Sequence, residues 1–179
     1  SGAFMSPTSS NVTNKLAKNE KSATAEIGYG YHSKHVSFNA CAYFTEWMDK
    51  SMTKKGKITE QYYINMTGVN SRHMGLEFEV KATPANWVEL GAMFSLGDWR
   101  WDSDNVKGYA YNLAGQAMTS SGDITTPCAD DHAWAVINMK GVKVGGSAQT
   151  TAAVDVTFTP FTGFRIGGGY PYFDRNPAF

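Results

Sequence analysis

The chain has 179 residues, enough for one domain with a hydrophobic core. It carries 16 basic and 16 acidic residues, so its formal net charge is +0, which argues against nucleic acid as the main partner. No stretch approaches the roughly 18 consecutive apolar residues of a transmembrane helix. A helical membrane protein is therefore not expected, whereas a β-barrel, whose apolar residues alternate with polar ones, is compatible with this composition.

The start of the chain is polar and lacks a regular period. We expect residues 1–22 to form an irregular N-terminal segment. No charged stretch followed by an apolar one is present, so no signal peptide is expected. Residues 23–179 are predicted to form a partial β-barrel domain with about six long strands and two long loops.

Six segments alternate apolar and polar residues with a period of two, which is typical of β-strands. In one of them Leu76 and Phe78 share one face, while Glu77 and Glu79 share the other. The predicted strands are Ala25–His32, Val36–Thr45, Met74–Thr83, Val88–Leu96, Val144–Thr159 and Phe164–Tyr172. We expect each to pair antiparallel with its sequence neighbour, which makes the fold all-β, an up-and-down meander.

The connections between these strands are of two kinds. Tight turns are predicted at Ser33–His35, Pro84–Asn86 and Pro160–Gly163. Long irregular connections are predicted from about Trp47 to Arg72 and from Asp98 to about Asp131, followed by a small hairpin around Lys140–Gly141. Short turns at one end of the strands and long loops at the other are typical of outer-membrane barrels.

The alternation is compatible with two environments. In a soluble sandwich the apolar face is buried, whereas in a transmembrane barrel it meets lipid and the polar face lines the lumen. The predicted strands are close to the roughly 9–11 residues needed to cross a bilayer, and together with the one-sided loops this favours the barrel. We therefore predict six outward side chains: Leu76, Phe78, Leu90, Phe94, Val154 and Val156. The alternative is a soluble β-sandwich that binds carbohydrate or protein through its long loops.

Several long strings occur in a fixed order along the chain: EKSATAEIGYGYHSKHVSFNACAYFTEWMDKSMT, YYINMTGVNSRHMGLEFE, FSLGDWRWD, KVGGSAQTTA and RIGGGYPYFDRN. They resemble the carboxy-terminal half of the barrel of TonB-dependent outer-membrane receptors, especially those of Bacteroidetes-type bacteria, over residues 19–176. The resemblance implies a bacterial outer-membrane protein with a barrel of about 22 strands closed by a plug. It further implies uptake of a nutrient ligand, such as a siderophore, cobalamin, glycan or peptide, energised through TonB.

The sequence also departs from that family. We identify no plug domain and no segment that contacts TonB, and the family's last strands are missing after Phe179. The partners that the resemblance implies are outer-membrane lipid, a plug, the remaining barrel strands, TonB and a surface lipoprotein. Pro171 and Pro177 lie where the family carries strand-compatible residues, and proline removes a ladder hydrogen bond. This predicts either that the last strand is an edge strand or that this piece has diverged from a working receptor.

The segment from Gly97 to Asp104 is the best candidate for ligand contact. Trp99, Arg100 and Trp101 offer two aromatic faces and a cation at the base of a long loop, suited to a sugar ring, a peptide or a porphyrin-like ligand. The alternative is that both tryptophans belong to an aromatic girdle that anchors the barrel. Tyr62 and Tyr63 in the other long loop carry the same two interpretations.

Other reactive side chains form no recognisable constellation. The four histidines are His32, His35, His73 and His132, and we expect them to face solvent or the barrel rim, because their spacing matches no zinc motif. Cys41 and Cys128 lie far apart in sequence, and a disulfide cannot be argued from their positions. No nucleophile, base and acid occur in a catalytic order. We therefore expect no enzymatic activity, no metal and no cofactor.

Overall fold

The computed structural model describes residues 19–55 and 62–174, and its secondary structure there is β-strand, turn and loop. The strands in these ranges are β1 (Lys21–His32), β2 (Val36–Lys55), β3 (Tyr62–Ala85), β4 (Val88–Trp101), β5 (Val106–Asn112), β6 (Trp134–Ile137), β7 (Thr150–Phe161) and β8 (Phe164–Phe173). In the part of the chain that is described, no helix is long and apolar enough to cross a membrane. The predicted all-β class is confirmed.

The strands belong to one antiparallel sheet. Its order is β1, β2, β3, β4, β7 and β8, so strands that follow one another along this path are hydrogen-bonded neighbours. β5 lies off the path and pairs with β3 and β6, and β6 pairs with β5. The predicted meander is confirmed. Among the described residues the sheet does not close, and β1 and β8 are its two ends.

The predicted strands agree closely with the observed ones. Five lie wholly inside β1, β2, β3, β4 and β8, and each of these observed strands is longer than predicted. The sixth was predicted to begin at Val144, but β7 begins at Thr150, because Gly146 has a left-handed φ of 82° that interrupts the extended backbone. The irregular segment predicted for residues 1–22 falls mostly outside the described residues, and its end is wrong because Lys21 already belongs to β1.

The tight turns lie near their predicted positions. At the first, the Ser33 amide donates a hydrogen bond to the Val36 carbonyl at 2.8 Å, as expected. The second and third turns contain Asn86 with Trp87 and Thr162 with Gly163, so Pro84 and Pro160 end up in strands. A register irregularity between Phe158 and Phe161 accommodates Pro160, since a bulge removes the need for its missing amide hydrogen.

The prediction of a long irregular connection from Trp47 to Arg72 is wrong. β2 continues to Lys55 and β3 begins at Tyr62, so the described residues on both sides of the gap at 56–61 are strand. The two-residue period disappears here because Asp49 and Gly68 adopt left-handed φ values of 57° and 75° inside the strands. A left-handed residue reverses which face the following side chains occupy.

The second long connection is also more ordered than predicted. β4 extends to Trp101, β5 follows at Val106–Asn112, and isolated bridges join Met118 to Ile124 and Thr119 to His132. A turn occurs at Lys140–Gly141, as expected, and the Val142 amide donates to the Met139 carbonyl at 3.0 Å. The hairpin predicted around that turn is wrong, because β6 pairs with β5 instead.

The chain divides into two compact units. The core unit consists of Ser1–Ala23, Glu46–Arg72 and Arg100–Val142. The sheet unit consists of Thr24–Thr45, His73–Trp99 and Lys143–Phe179. Both names refer below to the described residues of these ranges. Strands β1, β2, β3 and β4 contribute residues to both units.

The core unit has the interior of an ordinary globular domain. Its buried apolar residues are Met66, Val69, Trp101, Val106, Tyr111, Ala117 and Met139. Two of its buried polar residues, Asn65 and Ser103, are hydrogen-bonded, whereas among the described residues the Ser51 and Ser71 hydroxyls have no hydrogen-bond partner. The Thr53 hydroxyl donates to the Asn65 side-chain oxygen at 2.8 Å, and the Asn70 amide donates to the Ser103 hydroxyl at 2.6 Å.

Candidate functional site

The strands of the sheet unit keep their apolar side chains on one face. Along β4 and β7 the directly opposed pairs on that face are Val88 with Phe158, Leu90 with Val156, Ala92 with Val154 and Phe94 with Ala152. The pairing continues from β7 to β8, where Val154 opposes Tyr170. Opposed residues in an antiparallel ladder lie on the same face of the sheet. The register therefore assembles a continuous apolar face without a charged residue.

This apolar face is exposed. Five of the six side chains that we predict to point outward, Leu76, Phe78, Leu90, Phe94 and Val154, are exposed, and Val156 is half-buried. In the described part of the sheet unit no apolar residue is buried, because the buried apolar residues of the described chain all belong to the core unit. The six side chains do not form a closed core. The sheet unit is thus a single layer of strands.

The opposite face of the sheet unit is polar and rich in glycine. Glu77 and Glu79 are exposed there, and the Lys81 ammonium lies 3.8 Å from the Glu79 carboxylate. Glycines on this face leave room for neighbouring side chains. A methyl group at Gly75 would overlap the Tyr43 ring, and one at Gly91 would overlap the Asp155 carboxylate.

Among the predicted ligand contacts, Trp99 belongs to the sheet unit and is held by its neighbours. Its indole nitrogen donates to the Tyr43 hydroxyl at 2.9 Å, and its ring stacks on His73 with centroids 5.3 Å apart. Gln149 is buried and bridges the Trp99 backbone, accepting from its amide at 3.1 Å and donating to its carbonyl at 3.0 Å. These contacts fix the Trp99 ring against the end of the sheet unit.

The other four predicted contacts belong to the core unit. The Arg100 guanidinium donates to the Gly141 carbonyl at 3.2 Å. Trp101 is only 5% exposed, so little of its ring is open to a ligand. Tyr62 and Tyr63 are half-buried at the start of β3. For all five residues ligand contact stays a prediction.

The histidines divide between surface and interior. His32 and His35 are exposed, as expected, but the prediction is wrong for His132, which is 1% exposed in the core unit. Its Nδ1 accepts from the Cys128 amide at 3.0 Å, so its Nε2 carries the proton and donates to the Ala110 carbonyl at 2.8 Å. The predicted loop around His132 gave no sign of this burial, because the residues that cover it come from distant parts of the sequence.

Two tyrosines pack against the His132 ring. The ring centroids of Tyr109 and Tyr111 lie 4.8 Å and 5.1 Å from it. Burial raises the pKa of the Tyr111 hydroxyl, and the nearby Cys128 thiol and Tyr109 hydroxyl add smaller contributions in the same direction. Tyr111 therefore stays neutral in the folded core unit over the physiological pH range.

The structure also assembles a surface that the sequence analysis missed. Lys107 and Tyr109 on β5 lie directly opposite Val136 and Trp134 on β6. The Lys107 ammonium lies 4.6 Å from the centroid of the Trp134 ring and 4.9 Å from that of Tyr109. We call these four residues the aromatic-lysine surface. Its signal was present as the alternation Lys107, Tyr109, Tyr111, which is short and lies inside the segment predicted to be a loop.

No family model, curated protein or solved structure matches the chain. The resemblance to TonB-dependent receptors therefore rests on the sequence strings quoted above.

Proposed function

We propose that the chain is part of the barrel of a TonB-dependent receptor that takes up a nutrient ligand across the bacterial outer membrane. The observation that carries the proposal is the exposed, charge-free apolar face of the sheet unit, which has no buried apolar residue in its described part. Water penalises such a face, at roughly 25 cal/mol per Å² of apolar surface. A bilayer stabilises it, because lipid replaces the missing second layer.

Strand length supports the same proposal. β1 has 12 residues, β7 has 12 and β8 has 10. A tilted transmembrane strand needs roughly 9–11 residues, whereas strands of soluble sheets most often have about 5–6. β2, β3 and β4 are longer still, and they continue from the sheet unit into the core unit.

A soluble β-sandwich is less consistent with the sheet unit. A sandwich buries its apolar faces between two sheets about 10 Å apart. In the described residues the apolar side chains of β4, β7 and β8 have no such covering layer, since Leu90, Val154 and Ile166 are all exposed. Exposed apolar side chains of this kind are expected on the lipid-facing side of a barrel and not in a sandwich.

The two ends of the sheet indicate the further partners. Backbone groups that lack hydrogen bonds cost several kcal/mol each in lipid, so β1 and β8 need neighbouring strands in a membrane. We propose that the remaining barrel strands of a larger receptor occupy these edges. The polar face, with Glu77 and Glu79, would then line the lumen and face a plug, and TonB and a surface lipoprotein would act through other parts of the receptor.

The chain produced alone tests the membrane part of the proposal. We expect it to aggregate in buffer and to disperse as a β-rich species in non-ionic detergent, measured by sedimentation and far-UV circular dichroism. A monodisperse monomer without detergent would contradict the membrane assignment. A heat-modifiable monomer on unboiled gels would contradict the need for further strands, because it would show that the sheet closes by itself.

The receptor class has its own test, in the gene. We expect the reading frame to continue upstream into a plug domain and downstream into further strands. A frame that encodes neither would overturn the assignment to a TonB-dependent receptor while leaving the membrane assignment intact.

A further inference from the structure

The aromatic-lysine surface combines an exposed indole ring, Trp134, with an accessible charge. Trp134 is 56% exposed and Val136 is 50% exposed, whereas Trp101 of the same core unit is only 5% exposed. Lys107 is exposed as well. β6 pairs with β5 alone in the described sheet, so its other edge is not hydrogen-bonded to a further strand there.

No carboxylate of residues 19–55 and 62–174 lies within 4.0 Å of the Lys107 ammonium, which contacts the rings of Trp134 and Tyr109. A purely apolar ligand seated on Trp134 would take this ammonium out of water without a partner, which is costly. A ligand that brings an anionic group to Lys107 avoids that cost.

The shape of the surface restricts the ligand further. An extended peptide binds a sheet edge through main-chain hydrogen bonds, but β6 has only 4 residues, so its edge supports few of them. The contact that remains is stacking on Trp134, because the Tyr109 ring already packs against the His132 ring, with centroids 4.8 Å apart, and against the Lys107 ammonium. A pyranose ring presents a flat apolar face of C–H groups, and a carboxylate on that ring is able to reach the neighbouring ammonium.

We propose that the aromatic-lysine surface binds an anionic saccharide whose ring carries a carboxylate. Trp134 stacks on the sugar ring, Tyr109 contacts the Lys107 ammonium, and Lys107 pairs with the carboxylate. The inference deepens the proposed function by naming the class of ligand, and it rests on that function for the uptake step. The binding step itself depends on residues of the core unit.

The test is calorimetric titration of the full chain in non-ionic detergent with trigalacturonate, with its neutral methyl ester and with an acidic peptide as probes. We expect the carboxylate form to bind about two- to fivefold more tightly than the ester, since cation contacts at exposed sites are of this order. Lys107→Gln should remove this preference. Trp134→Ala should weaken binding of both sugars about fivefold or more.

Matched controls separate specific binding from general effects. Trp87→Ala changes a tryptophan of similar exposure, 54%, in the sheet unit, and Lys140→Gln changes another exposed lysine of the core unit. We expect both to bind like the unmodified chain. Lys107 is exposed, so we expect Lys107→Gln to fold. If Trp134→Ala does not fold, the binding preference of Lys107→Gln still tests the inference.

Several outcomes would overturn the inference: no binding of trigalacturonate, equal binding of the ester, tighter binding of the acidic peptide, or equal losses in the control variants. These outcomes are distinguishable from failure of the membrane assignment, which is measured by sedimentation without any sugar. If the chain is monomeric without detergent and still binds the sugar, the proposed binding surface is supported and the proposed barrel is contradicted.

Discussion

The core unit and the sheet unit use the same secondary structure with opposite patterns of burial. The core unit buries Met66, Val69 and Tyr111 between its strands and loops. The sheet unit exposes Leu90 and Val154 on a face without charges. An alternating sequence thus identifies a strand, but the presence or absence of a covering layer determines which solvent the apolar face requires.

The largest expected difference between the units comes from two tryptophans of unequal burial. Trp101→Ala should lower the free energy of unfolding of the core unit by about 3–5 kcal/mol, because it leaves a cavity in a packed interior. Trp87→Ala, at a half-exposed ring, should cost at most about 1 kcal/mol. Urea unfolding in detergent, followed by near-UV circular dichroism, measures both. Equal losses would mean that the units do not differ in packing.

A charge on either face of β4 sharpens the comparison in lipid. Phe94→Arg places a cation on the apolar face and should destabilise the lipid-bound sheet unit by about 2–4 kcal/mol, whereas Ser95→Arg on the polar face should have little effect. The free energy of unfolding from vesicles gives both values. A similar cost at the two positions would indicate that neither face contacts lipid.

Histidine offers a comparison between interior and surface polar groups. His132→Ala removes hydrogen bonds to the Cys128 amide and the Ala110 carbonyl in the core unit, and should cost about 1–3 kcal/mol. His35→Ala at an exposed turn removes a single solvent-exposed contact, between the ring Nδ1 and the Thr83 carbonyl oxygen at 3.2 Å, and should cost less than about 1 kcal/mol. Urea unfolding of the two variants decides this. A loss for His35→Ala as large as that for His132→Ala would remove the distinction.

The smallest expected effect concerns alkaline pH. Burial raises the pKa of Tyr111, so the folded core unit keeps this proton at pH values where the unfolded chain, with an ordinary pKa of 10.0, has released it. The stability contribution is complete below pH 10.0 and is lost as the pH rises from there through the folded pKa. Tyr111→Phe should therefore lose less stability than the unmodified chain above pH 10.0 in urea titrations. Parallel pH profiles would contradict the assignment.

Much of the sheet unit could be predicted from the sequence. Its strands keep an unbroken two-residue period, as in Leu76 and Phe78 against Glu77 and Glu79, because each face meets a single environment. Tight turns then fix which strands are neighbours. Local sequence therefore contained the order of the meander and the identity of its apolar face.

The core unit was less predictable, for two physical reasons. Left-handed residues such as Asp49 and Gly68 interrupt the period inside its strands, and β5 and β6 are too short to show one. Burial there also depends on contacts between distant segments. Trp101 was expected to be available to a ligand or to lie in a girdle, but it is buried. Trp134 was not among the candidate residues of the sequence analysis, and it is exposed.

The central claim is that the apolar face of the sheet unit contacts lipid, and a spin-label scan along β4 tests it most directly. Single cysteines at positions 89, 90 and 92 to 96, in a chain whose Cys41 and Cys128 are replaced by serine, would carry nitroxides after reconstitution into lipid vesicles; position 91 is left out because a side chain there would overlap the Asp155 carboxylate. We predict that even-numbered positions are accessible to oxygen, which partitions into lipid, and that odd-numbered positions are accessible to a water-soluble nickel complex. The claim would be contradicted by equal accessibility at both sets, or by even-numbered positions protected from both reagents.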